Sequence, residues 1–357
     1  MGNYQSGDNA DYDDNSQDDN NDNNDNNVKH DDTDDAPRYR KNGKRAKRDK
    51  HDKHDKHDKD ADNVSNGDEN NDADGESENN DADGEEEHDN DEEYDVKRRY
   101  GWKRDIPDHR DKYFTLSSRL TEVPLPDKID LRDKCPLVYD QGKIGSCTAN
   151  GLAGAYHFDE MKQKNSNVFM PSRLFIYYNE RAREGTTDSD SGASIRDGLK
   201  TMVKIGVCSE DSWEYESDEL TTKPHRDCYK EAKKHRAIKY KRVAQREPDL
   251  KQCLASGVPI VFGFTVYDSF EEDDITKTGL VKMPEKNEKI LGGHCVMLVG
   301  YYSNANDEAN PMKAPCWIVR NSWSDKWGDK GYAYFPMEYL LNTDLAADFW
   351  AIKKVSR

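Results

Sequence analysis

Four residues could do chemistry together: Gln141, Cys147, His294 and Asn321. Cys147 lies in DQGKIGSCTAN (140–150), where Gly142 and Gly145 interrupt regular structure. Beyond them Ala149, Leu152, Ala153, Tyr156 and Met161 recur at spacings of three and four, so a helix is expected to start at the sulfur. The unpaired N–H groups and positive dipole at a helix N-terminus favour the thiolate, the nucleophilic form. Six residues upstream, the Gln141 side-chain amide could join the Cys147 backbone N–H in binding the oxygen of a tetrahedral intermediate. Alone, such a cysteine is usually a small buried hydrophobe. The downstream residues change that reading.

Five histidines lie beyond the charged N-terminal region: His109, His157, His225, His235 and His294. His294 stands at the mouth of an apolar run, after Gly292 and Gly293, which let a backbone approach closely. A second apolar run ends at Asn321, followed by Ser322 and Trp323. An amide there can accept from one imidazole nitrogen and fix the tautomer while the other faces a thiol, and the Trp323 indole could exclude water. His109, between Asp108 and Arg110, reads as a charge-paired surface residue.

The elements needed to bring these groups together are legible as a change of texture. Pro171 and Ser172 open a second helical pattern through Arg183. Ser194 is placed as the N-cap of a third, with Ile195, Leu199, Met202 and Val203 on one face and Gly206 ending it. From about Ala237 the apolar runs are short: 258–266, 294–302, 314–321, 331–336 and 349–355 read as strands. A helical half followed by a strand-rich half predicts an α+β protein with two lobes and a cleft.

The formal net charge of −19 belongs entirely to the first 99 residues, whose 34 acidic and 15 basic side chains leave 39 of each for the other 258. Residues 1–98 are expected to be a disordered, low-complexity tail, since they carry too few apolar groups to offset the entropy of ordering. The first six residues fit an N-myristoylation pattern that the acidic residues after them oppose. The basic run 38–50 lies between acidic blocks and reads as a solvated charge run, with no specific nucleic-acid binding expected. The His-Asp-Lys triplets of 51–59 lack the spacing of a structural metal site. All seven cysteines follow residue 130. With no apolar leader and no run of eighteen apolar residues, free thiols in a reducing compartment are expected, with no membrane span. Residues 99–126, rich in aromatics and prolines, are expected to form an extended arm over a surface.

Gln141, Cys147 within GSC, GGH ending at His294, NSW at 321–323, WG at 327–328 and GY at 331–332 together resemble the papain-like, cathepsin-type cysteine peptidases, over about residues 127–357. The spacing from Cys147 to His294 suits a thiol and a base on separate lobes. The resemblance implies a two-lobed fold, with a helical lobe (127–240) bearing the nucleophile and an antiparallel, β-barrel-like lobe (241–357) bearing His294 and Asn321. It implies an endopeptidase in which Cys147 attacks, His294 serves as base and then acid, Asn321 orients it and Gln141 holds the oxyanion, with no metal or organic cofactor.

By the same resemblance the loop Ser191, Gly192, Ala193 takes the place of a glycine pair that binds substrate backbone, with Gly293 and Trp323 also lining the substrate site. The arm is expected to act as a short pro-segment across the cleft. Three positions depart from the family pattern: Ile144 replaces a disulfide cysteine, Thr148 a tryptophan and Ser324 a glycine. A monomer acting on polypeptides is expected, intracellular or, by association of the Asp/Asn-rich tail with giant-virus genomes, in a virion. Two other classes use parts of the same pattern, a transglutaminase-like thiol acyltransferase and a non-catalytic binding protein.

Overall fold

The computed structural model describes residues 98–115, 124–164 and 166–356. The expected tail, with its myristoylation pattern, basic run and triplets, lies outside the described residues, as do arm residues 116–123.

The chain condenses around helix α1 (Cys147–Lys162), whose Ala- and Gly-rich sequence has thirteen of sixteen residues buried. A helix apolar or small on every side can be packed all round, and α1 touches the sheet strands as well as the next two helices. Helix α2 (Arg173–Glu184) begins where the Ser172 side chain accepts the Phe175 N–H and ends at Gly185, with φ +74°. Helix α3 (Ile195–Lys204) has Ser194 as its N-cap, as expected, accepting from the Asp197 N–H. Helices α4 (Arg226–Ala232), α5 (Glu247–Ala255), α6 (Asp273–Thr278) and α7 (Met337–Leu341) are shorter.

Two strands belong to a small parallel pair, β1 (Trp102–Lys103) with β3 (Ala193–Ser194). The others, β2 (Lys128–Asp130), β4 (Ala237–Arg242), β5 (Ile260–Tyr267), β6 (Ile290–Tyr302), β7 (Cys316–Arg320), β8 (Tyr332–Pro336) and β9 (Ala346–Val355), form one antiparallel sheet ordered β4-β9-β5-β6-β7-β8, with β2 also paired to β6. Among the described residues β8 does not pair back to β4, so the sheet stays open. All five expected strands are present, and the α+β class holds. Their inward aromatics fill the core, with Phe262 stacked on Phe349 at 5.0 Å between ring centroids. No helix among the described residues is long and apolar enough to cross a membrane.

This topology sets the site. Cys147 opens α1, His294 lies in β6 opposite Phe264 of β5, and Asn321 follows directly on β7, the neighbour of β6. An isolated bridge from Asp140 to Trp323 lays the Gln141 loop beside Asn321.

Candidate active site

His294 is fully buried, and its Nε2 donates to Asn321 Oδ1 at 2.8 Å. The same oxygen accepts the Ser322 backbone N–H at 2.8 Å, so it acts as the acceptor and Nε2 carries the ring proton. Nδ1 is buried without a partner. Trp323 stacks on the imidazole with centroids 4.8 Å apart and planes 27° from parallel, covering the hydrogen bond as anticipated.

The thiol of Cys147 is fully buried, and the backbone of Cys295, Gly101 and Thr148 lies beside it in a sense that favours the thiolate. The sulfur therefore meets β6 at the residue after His294. Gln141, also fully buried, has its amide turned by Ser322, whose Oγ donates to Oε1 at 2.7 Å. That leaves Nε2 to donate to the Ile144 carbonyl at 3.0 Å and the Arg99 carbonyl at 3.5 Å. The backbone N–H of Gln141 donates to the Ser322 carbonyl at 2.9 Å. Gln141, Asn321 and His294 are thus linked through Ser322, and Cys147 opens α1, which packs on β6.

Local electrostatics differ from the expectation for a helix N-terminus. Burial pushes the Cys147 thiol up to about 12, against the backbone hydrogen bonds that favour the thiolate. Burial likewise lowers His294 to about 4; the Asn321 bond works the other way, and the cation of Arg98 adds to the lowering. Burial thus favours the neutral form of both groups.

The arm contacts are specific. Gly101 O accepts the Ala193 N–H at 2.8 Å. A Cβ on Gly101 would overlap the Gly145 carbonyl, and one on Gly192 (φ +69°) would overlap the Gly101 carbonyl. Tyr100 packs edge-on to His294 at 6.1 Å, with its hydroxyl bonded to Glu271, and Arg98 lies 4.4 Å over the Trp323 ring. Of the expected substrate-binding residues, Gly192 and Gly293 meet the arm directly, since a Cβ on Gly293 would stand 2.6 Å from the Trp102 carbonyl. Ser191 points elsewhere, donating to Thr186 Oγ1 at 2.7 Å.

The three departures are accommodated. Ile144 is buried in the core, all seven cysteines are free, and Asp190 ties this loop by accepting the Gly145 N–H at 3.0 Å while Tyr177 donates to it at 2.6 Å. Thr148 donates to buried Glu180 at 2.7 Å. Ser324 keeps the left-handed backbone, φ +64°, that glycine tolerates better. Ser322 and Asp190 were not singled out by sequence reasoning, because their partners lie far away along the chain.

The family described as "Papain family cysteine protease" matches residues 125–346. An uncharacterized peptidase C1-like protein of Acanthamoeba polyphaga mimivirus is 43% identical over 284 residues, 73% of this chain and 88% of the relative. Xylellain, a cysteine protease from Xylella fastidiosa, superposes with a TM-score of 0.65 at 43% identity, over 71% of this chain and 96% of that one. A digestive procathepsin L of Tenebrio molitor shares the fold at 19% identity, with a TM-score of 0.53 over 73% of this chain and 77% of its own. The chain belongs to the papain family and is a cysteine peptidase.

Proposed function

We propose that this peptidase is an endopeptidase working through Cys147, His294 and Asn321, with a covalent acyl-enzyme. The observation that carries the reading is the imidazole itself: Nε2 is held by Asn321 at 2.8 Å while Nδ1, buried beside the strand that meets the sulfur, has no partner. A ring held in that tautomer takes the thiol proton at Nδ1 as the sulfur attacks a peptide carbonyl. The Gln141 Nε2–H and the Cys147 N–H stabilise the oxyanion, and the imidazolium returns its proton to the leaving amine. Water then releases the acyl group. Trp323 shields the His294–Asn321 bond, and Gly192 and Gly293 leave room for substrate backbone. The helical segment 127–240 supplies the nucleophile and 241–357 the base.

The arm serves as an intramolecular cover. Its support is the close approach of Gly101 to the Gly145 carbonyl, the Gly101–Ala193 hydrogen bond and the packing of Arg98 and Tyr100 over Trp323 and His294. Replacing Cys147 by Ser should remove peptide hydrolysis while leaving the circular dichroism spectrum and unfolding midpoint unchanged. Hydrolysis that persists in C147S would refute the assignment.

A further inference from the structure

One peptide unit beside the nucleophile is held from both sides. The Gly145 N–H donates to the two oxygens of Asp190, at 3.1 Å and 3.0 Å, and the Ile144 carbonyl of the same unit accepts the Gln141 Nε2–H at 3.0 Å. A trans peptide is planar, so an acceptor that fixes the direction of its N–H fixes the direction of its C=O as well. The carboxylate also polarises the unit, since charge-assisted hydrogen bonds are strong and bonds in a chain strengthen one another. At its other end the Gln141 amide is fixed by Ser322 Oγ, 2.7 Å from Oε1. Asp190 has supports of its own. Buried Tyr177 donates to its Oδ1 at 2.6 Å and accepts the Gly192 N–H at 2.9 Å, while Arg181 donates to the Ser189 carbonyl at 2.8 Å. Burial and the Asp190 carboxylate both push the Tyr177 phenol up, so it keeps the proton that it donates. The Asp190 side chain is 6% exposed and pairs with Arg99 of the arm at 3.3 Å.

We infer that Asp190 is a positioning residue for peptide cleavage: through the Ile144–Gly145 peptide unit it sets the direction in which the Gln141 amide presents its N–H to the oxyanion. The inference rests on the peptidase reading above. Gln141 Nε2 has two hydrogens. One donates to the Ile144 carbonyl, and the other faces the Arg99 carbonyl of the arm at 3.5 Å. When the arm leaves, the second hydrogen is released to an oxyanion, and the first keeps the amide from turning. With Ile144 in place of a cysteine, the aim of Gln141 depends on hydrogen bonds that end at a buried carboxylate.

The test is a double-mutant cycle in full-length protein. Every variant carries R99A, so that loss of the Arg99 pair does not vary with position 190. Turnover of a fluorogenic peptide is compared for R99A, R99A/D190A, R99A/Q141A and R99A/D190A/Q141A, with circular dichroism as the check on folding. Q141A should lower kcat about a hundredfold, the loss of one oxyanion donor. D190A should lower kcat about tenfold through misdirection of that donor, with KM changed by less than about twofold. Once Gln141 is gone, D190A should cost less than about twofold more, because the two residues act as one unit. Asn keeps an oxygen for the Gly145 N–H without the charge, so D190N should lose about threefold; where D190A does not fold, D190N carries the same cycle. Losses that multiply, an unchanged kcat in D190A and D190N, or an unchanged kcat in Q141A overturn the inference while leaving the peptidase reading intact. If R99A itself cuts no peptide, the peptidase reading fails and the role of Asp190 falls with it.

Discussion

The two ends of the arm are held by opposite physics. Residues 98–103 are held mainly by fit, with glycine backbones touching, a ring among small residues and an arginine on an indole, beside two exposed ion pairs, Arg99–Asp190 at 3.3 Å and Lys103–Glu184 at 2.9 Å. Residues 105–114 are fastened by charge. Asp105 and Asp111 of the arm meet Arg196 of α3, Arg242 of β4 and Asp348 of β9; Arg196 pairs with Asp111 at 2.6 Å, and Arg242 with Asp348 at 2.8 Å and Asp111 at 3.2 Å. Trp350 Nε1 donates to Asp105 at 2.8 Å. In the proposed cover the first contact blocks and the second holds. A blocking contact made of close backbone approach has no slack, whereas a charge cluster away from the thiol fixes the arm without touching the chemistry.

Breaking the holding end should have the largest effect. Arg242→Ala leaves the Asp105 and Asp348 carboxylates facing one another, the Asp105 N–H being bonded to Asp348 Oδ2 at 2.7 Å. Removing one partner from a buried charge cluster typically costs about 3–5 kcal/mol. The expected result is a loss of that size in urea unfolding, with early proteolytic cutting of the arm; an unchanged midpoint would show that the cluster holds nothing.

Gly101→Ala separates blocking from holding. A Cβ there must displace backbone, and overpacking of this kind costs about 1–3 kcal/mol. Peptide turnover should rise by about fivefold to a hundredfold, with a smaller loss of urea midpoint than in Arg242→Ala, since the charge cluster is untouched. Turnover equal to that of the parent protein would mean that the cleft is not covered in solution.

The proposed catalytic set was legible in the sequence because each member is defined by residue type and order. Cys147 after two loop glycines, His294 after a glycine pair and Asn321 before Ser322 and Trp323 needed no knowledge of distance. The caps Ser172 and Ser194 are local signals of the same kind. Helix α5 went unread although Pro248 starts it and Leu250, Cys253 and Leu254 mark its buried face, because nine residues between strands give little periodicity. The role of Ser322 depends on Gln141, 181 residues away. Gly263 means nothing until Trp102 is seen against it. The thiolate expectation followed from a helix end alone, whereas burial of Cys147 pushes its thiol the other way.

Acidity should act on the two ends in opposite senses. His294 is lowered to about 4 by burial, so its contribution to the covered state is present above its ordinary value near 6.5 and lost as pH falls through 4. Asp105 is raised to about 6 by burial and by Asp348, so its contribution is present at low pH and lost as pH rises through 6. In a C147S background, protection of the arm from added protease should therefore decline more steeply between pH 6.5 and 4 when Asp105 is replaced by Asn. A flat profile in that variant would remove His294 from the account.

The smallest effect belongs to Arg98. Its guanidinium lies 4.4 Å over Trp323 and is itself depressed by burial, which offsets part of the attraction. Cation–π contacts in partly dried sites are worth about 1 kcal/mol. Arg98→Ala should raise turnover about fivefold and also relieve the cation that disfavours protonated His294, moving the acid limb of arm release to higher pH. Arg98→Lys, which keeps the charge but not the flat stacking surface, should recover the pH position without recovering the full cover. If both variants shift the limb equally, the Arg98 contact works by stacking alone.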